Sequence, residues 1–165
     1  MSTSDFDQLA TTAARIAGRL KARGETLAIA DGATGGLLSA AILTVPGATK
    51  FYIGGGVIYS RRAREVVLGI GMREAAGMRS VTEDYALLQA RAVAGHLGAG
   101  WGLAESGSAG GSVHPGGVGS GQSWAAVLSP TIATRGARRS SCASNNRPRL
   151  RETCIAPKYP GVATW

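Results

Sequence analysis

The 165 residues suit one domain rather than two, because a core that buries most of its apolar surface takes about 100 to 150 residues. The longest apolar stretches, such as residues 37–43, fall far short of the roughly 20 residues that cross a bilayer, and the acidic start of the chain lacks the basic-then-apolar order of a secretory signal, so a cytoplasmic protein is expected. The formal charge of +8 is concentrated at one end: residues 1–130 hold 11 Lys and Arg against 9 Asp and Glu, residues 131–165 hold 7 against 1, and a nucleic-acid-binding core is thereby disfavoured.

Ser4 reads as the N-cap of a helix with Asp7 at its third position, and Phe6, Leu9, Ala13, Ile16, Ala17 and Leu20 recur at helical spacing until Gly24. Residues 26–30 (TLAIA) make a run of strand length ending at Asp31 and Gly32, and Gly35 and Gly36 open a second apolar helix running to Val45 and Pro46. Residues 51–59 predict another strand, in which Gly54, Gly55 and Gly56 indicate a bulge or a close backbone approach. Ser60 with Arg61, Arg62 and Arg64 begins a short helix. Thr82 is a candidate N-cap, with Glu83 and Asp84 placed to favour the helix dipole. That helix is expected to reach about Leu97, with Gly98 after it and Tyr85, Leu88, Ala92 and Val93 on its apolar face. Residues 101–104 predict a strand, residues 106–122 a Gly/Ser-rich loop and residues 123–128 a further strand.

Strands alternating with helices predict an α/β fold, a layered helix-sheet-helix domain with a mainly parallel sheet, over residues 1–128. From Ser129 onward no apolar period is visible, so residues 129–165 read as a basic Arg/Ser/Pro-rich tail, disordered or non-native, of the kind a shifted reading frame also produces. Cys142 and Cys154 are too few for a disulfide framework, and neither they nor His96 and His114 have partners at ligand spacing, so no metal and no cofactor are expected.

The blocks LAIADGATGGLLSAAILTVPGA, GGGVIYSRRAR, SVTEDYALLQARAV and GLAESGSAGG, in that order and spacing, resemble the C-terminal domain of the CinA (competence/damage-inducible) family, also known as nicotinamide-nucleotide amidase, over roughly residues 5–128. The resemblance implies hydrolysis of the carboxamide of nicotinamide mononucleotide to the acid and ammonia, by a serine nucleophile with a lysine as its base. Such a dyad needs a hydroxyl on a tight turn, backbone N–H groups to hold an oxyanion and a lysine of lowered pKa. By position the serine falls on Gly32, the acidic residue before it on Asp31 and the lysine on Arg64, which cannot shed its proton at ordinary pH. Thr34, Gly35, Gly36, Tyr59, Ser60, Ser106, Gly107, Ala109 and Gly110 match the family pattern, whereas its proline after Gly110 is replaced by Gly111.

Thr34 is therefore a substitute nucleophile or an N-cap, Asp31 a substrate-orienting group or a turn cap, and Tyr59 a donor to the ligand or a packed strand-end side chain. Arg61, Arg62 and Arg64 form a phosphate-binding cluster or a solvated helix face. The first reading is a degenerate family member that binds a nicotinamide-nucleotide-like ligand with little or no amidase activity. An active amidase with altered catalytic residues is the alternative, and weak nucleic-acid binding by the tail ranks last. Self-association is a further expectation; membrane binding is not.

Overall fold

The computed structural model describes residues 3–109, 117–130 and 151–155. The first amphipathic segment forms α1 (Thr3–Arg23), with Asp5 in its first turn and Lys21 and Arg23 in its last, each favourable to the helix dipole. Ser4, expected as the N-cap, lies within the helix instead, since α1 already includes Thr3. β1 (Leu27–Asp31) is buried along its whole length because both faces of the sheet are covered. On one face Leu27 and Ile29 pack with Ala13, Ala17 and Leu20 of α1, Ala41 and Ile42 of α2 (Leu37–Leu43), and Phe51. On the other, Ala28 and Ala30 join the core formed by Leu68 of α3 (Arg61–Leu68) and Ala86, Ala90 and Val93 of α4 (Glu83–Leu97). Period-two alternation along one strand thus feeds two cores, in which each fully buried Leu, Ile, Val or Phe contributes about 1.5–3 kcal/mol and each alanine methyl about 0.8 kcal/mol.

After a 3-10 turn at Ala48–Lys50, the remaining strands are β2 (Tyr52–Val57), β3 (Trp101–Ser108), β4 (Gln122–Ser129) and β5 (Arg151–Ile155). The sheet order is β2-β1-β3-β4-β5. β1 pairs parallel with β2 and β3, β4 antiparallel with β3, and β5 antiparallel with β4, so β4 alone runs against the others. This is the expected layered α/β fold with a mainly parallel sheet. The glycine run in β2 makes the close approach anticipated for it, and the irregularity in pairing falls at Ile53, just before the run. The register shifts between Leu27 and Ala28, and a Cβ on Gly55 would collide with the Ile29 carbonyl oxygen. Among the described residues no helix is long and apolar enough to cross a membrane.

Four expectations are corrected. The fully buried face of α4 is Ala86, Gln89, Ala90, Val93 and Ala94; of the expected face Val93 is at its centre and Leu88 and Ala92 pack half-buried against the same core, whereas Tyr85 lies instead beside the Arg64 guanidinium. The strand expected at residues 101–104 continues to Ser108, because Ser106, Gly107 and Ser108 pair with Trp124, Ser123 and Gln122 of β4, and the polar run is sheet rather than loop. Tyr59 does not pack at the end of a strand; it is 91% exposed, beyond the last residue of β2. Finally, no strand is expected after Leu128, yet β5 pairs with β4 from Arg151 against Ser129 to Ile155 against Ala125. The open side of β4 recruits it, a demand of the tertiary fold that periodicity does not display. The rest of that segment, residues 131–150 and 156–165, lies outside the described residues.

Candidate functional site

β1 ends at Asp31, and the turn that follows it lies at the C-terminal end of the parallel strands, where open α/β sheets place their ligands. Gly36, the residue before α2, has a left-handed backbone (φ 101) and no side-chain cap. The capping is done by Asp31, whose side chain is fully buried. Its Oδ1 accepts hydrogen bonds from the Leu38 N–H (3.1 Å) and the Thr34 hydroxyl (3.0 Å), and its Oδ2 accepts from the Ser39 hydroxyl (2.5 Å). Thr34 is thus not the N-cap of α2; its hydroxyl faces the carboxylate that is.

The network continues outward, since the Tyr52 hydroxyl donates to Ser39 Oγ at 2.8 Å. Burial pushes the Tyr52 pKa above 10.0, and the nearby Asp31 charge adds to the rise while the Ser39 hydrogen bond opposes it. Tyr52 therefore remains a donor. Asp31, Ser39 and Tyr52 line an open groove of about 330 Å³ between α2 and β2, with Leu43, Val57 and the glycine run completing its walls. Ser39 and Tyr52 escaped the sequence reading. The available signal was Ser39 itself, a hydroxyl inside the otherwise apolar LLSAAIL.

Glu105, on β3, is the third residue missed. Its Oε1 accepts the Thr34 N–H at 2.9 Å and its Oε2 the Ala33 N–H at 3.1 Å. The backbone N–H groups of Ala33 and Thr34 are thereby satisfied from within the chain. Burial raises the Glu105 pKa above 4.5; the N–H donors of Thr34 and Ala33 oppose the rise and the Asp31 charge adds to it. Gly32 lies directly under Glu105. A Cβ at that position would collide with the Glu105 carbonyl oxygen and stand 3.2 Å from its Oε1.

The remaining candidates separate from this cluster. Arg64 is 8% exposed, neither a solvated face nor part of the groove: its Nε donates to the Ile70 carbonyl at 3.3 Å and its guanidinium carbon lies 6.0 Å from the Tyr85 ring centroid. Ser60 caps α3 by accepting the Ala63 N–H, and Arg62 pairs with Glu65 at 3.2 Å on the helix surface, where Arg61 is also exposed. Ser106 accepts the Val81 N–H at 3.2 Å, holding a β-branched residue at φ 59 just before α4. Gly107 packs against Ala33, Ala109 is exposed and Gly110 lies outside the described residues. Among the described residues no three His, Cys, Asp or Glu side chains come together to hold a metal ion.

A mainly parallel sheet with helices on both faces is the fold that the comparisons with known proteins also reach. The chain belongs to the CinA C-terminal domain family, whose sequence model matches residues 9–157 and so extends past residue 128 to include β5. A CinA-like protein of Myxococcus xanthus is 32% identical over 142 residues, covering 84% of this chain and 33% of that protein. A CinA-like protein of Synechococcus elongatus is 33% identical over 107 residues, 65% of this chain and 25% of that protein. The chain thus spans a third or less of the curated relatives it matches. A crystal structure of a CinA superfamily protein from Klebsiella pneumoniae superposes with a TM-score of 0.69 at 26% identity, covering 90% of this chain and 82% of that one. One from Escherichia coli shares the fold with a TM-score of 0.70 at 20% identity, over 94% and 81% of the two chains.

Proposed function

We propose that this CinA-like domain binds a nicotinamide-nucleotide-like ligand and has little or no amidase activity. The observation that carries the reading is the closure of position 32. The resemblance would put a nucleophilic serine there, but the backbone of Glu105 leaves no space for a side chain. The loop N–H groups that would steady an oxyanion already hold the Glu105 carboxylate. The position of the base is an arginine turned toward Ile70 and Tyr85, and a guanidinium does not exchange its proton near neutral pH. A loop that has lost nucleophile, base and free oxyanion donors supports binding better than turnover, and the open groove beside Asp31 supplies the place. Self-association and a cytoplasmic location belong to the same proposal.

One observation favours the alternative, an active amidase with altered catalytic residues: the Thr34 hydroxyl is hydrogen-bonded to the Asp31 carboxylate, which is the pairing of a nucleophile with a base. A single assay separates the two. Incubated with nicotinamide mononucleotide, the purified chain is expected to release ammonia no faster than buffer while the nucleotide still binds in calorimetry. Turnover within about tenfold of an ordinary amidase, abolished by Thr34→Ala, would establish the alternative instead.

A further inference from the structure

The C-terminal end of β3 projects beyond its parallel neighbour. Pairing with β1 stops at Ala104, so residues 105–108 pair with β4 alone. Consecutive strand residues point to opposite faces, and the two that begin this projection are each bonded to a different part of the chain. Glu105 holds the turn after β1 through the Ala33 and Thr34 N–H groups. Ser106 reaches the other way, where its Oγ accepts the Val81 N–H at 3.2 Å between two buried residues.

Val81 is held in a conformation that it does not favour. Its φ of 59 is the only positive value at a non-glycine among the described residues, and the left-handed region is least accessible to a β-branched side chain. It stands immediately before the Thr82 N-cap of α4 and closes a run, residues 69–81, that forms neither helix nor strand. Ile70 and Ala75 anchor that run in the core shared by α3 and α4, while Met72 and Met78 are exposed. Strain held by one hydrogen bond and a buried side chain defines two discrete arrangements: Val81 left-handed and bonded to Ser106, or relaxed with its N–H released. In the second, the projecting end of β3 loses its fastening on one face, and the Glu105 contact on the other face is loosened with it. We propose that this end of β3 couples the 69–81 segment to the turn after β1, with Val81 as a strained hinge and Ser106 as the positioning residue that holds it closed. The coupling does not depend on the ligand reading above.

The test is amide hydrogen exchange on the full chain at neutral pH, read by NMR at Val81, Ala33 and Thr34, with the buried α1 residues Ala13 and Ala17 as reference. Ser106→Ala is expected to speed exchange at Val81 and also at Ala33 and Thr34 by about fivefold or more, the lower end of coupling between sites, while the reference amides keep the parent rate. Ser106→Thr retains the acceptor and is expected to restore the parent rates. Coupling is reciprocal, so Glu105→Gln, which disturbs the turn, is expected to speed exchange at Val81. Two substitutions at the hinge read the strain directly. Val81→Gly and Val81→Ala both remove the branched side chain, but only glycine takes φ 59 freely, so the glycine variant is expected to protect Ala33 and Thr34 better than the alanine variant. Lost packing alone gives the reverse order. Faster exchange at Val81 with Ala33 and Thr34 unmoved, an equal rise at the reference amides, or alanine protecting better than glycine would each overturn the proposal. Should Ser106→Ala fail to fold, the Glu105→Gln rates and the order of the two Val81 variants decide it.

Discussion

Glu105 closes over Gly32, its carbonyl oxygen occupying the space that any Cβ at position 32 would need and its carboxylate bonded to the next two backbone N–H groups in the chain, those of Ala33 and Thr34. One residue of β3 thus both leaves no room for a side chain at position 32 and occupies the two N–H groups that follow it.

Gly32→Ser is therefore expected to destabilise the chain rather than repair it. A side chain forced against a fixed backbone oxygen costs about 1–3 kcal/mol, and urea denaturation would register it as a lower midpoint at unchanged slope. The double change with Arg64→Lys is expected to release no ammonia from nicotinamide mononucleotide, since the oxyanion donors stay occupied.

Glu105 gives stability a pH dependence of known sign. Its pKa in the folded chain is raised above 4.5, so in the window that opens there the folded state holds more protons than the unfolded one. Its contribution is fully present below pH 4.5 and is lost as pH rises through the raised value. Glu105→Gln is expected to flatten this slope in a denaturation series run upward from pH 4.5. It should also cost about 1–3 kcal/mol at neutral pH, because an amide nitrogen would face a backbone N–H.

Tyr52→Phe removes the donor at the outer end of the hydrogen-bond chain, with an expected loss of about 0.5–1.5 kcal/mol. The Tyr52 pKa is raised above 10.0, so stability is expected to fall as pH climbs beyond 10 in the parent chain and to fall less steeply in the variant. Thermal melts across that range read the difference.

Arg64→Ala is expected to lower stability by about 1–3 kcal/mol, since the guanidinium is buried on the Ile70 carbonyl and over the Tyr85 ring. Calorimetry should find the affinity for nicotinamide mononucleotide unchanged. A large loss of affinity at preserved stability would return Arg64 to the phosphate-binding role.

Ending the chain at Pro130 deletes β5 and bares the β4 edge over the five residues that pair with it. An unpaired flat edge invites pairing with another copy, so light scattering is expected to report a higher mass per particle than for the full chain at equal concentration. An unchanged mass and melting temperature would mean that β5 contributes nothing to the sheet.

Read along the chain, local order decided most of the scaffold. Helical spacing up to Gly24, the short apolar run before Asp31, Thr82 with its two acidic neighbours and Gly98 after Leu97 each depend on residues within a turn or two of one another, and each lies where it was expected. The glycine run in β2 likewise announced a close approach, because a side chain at Gly55 would meet the Ile29 carbonyl. What the sequence could not decide alone is which side chains meet. Asp31 reaches Ser39 eight residues on and, through it, Tyr52 on the neighbouring strand; Glu105 reaches Ala33 and Thr34 from more than 70 residues away. β5 exists because β4 has a free side, not because its own residues alternate. Such pairings depend on strand order and on how closely two backbones approach, and no local period carries that information, so the groove, its charge and the closed position 32 emerged only with the tertiary structure.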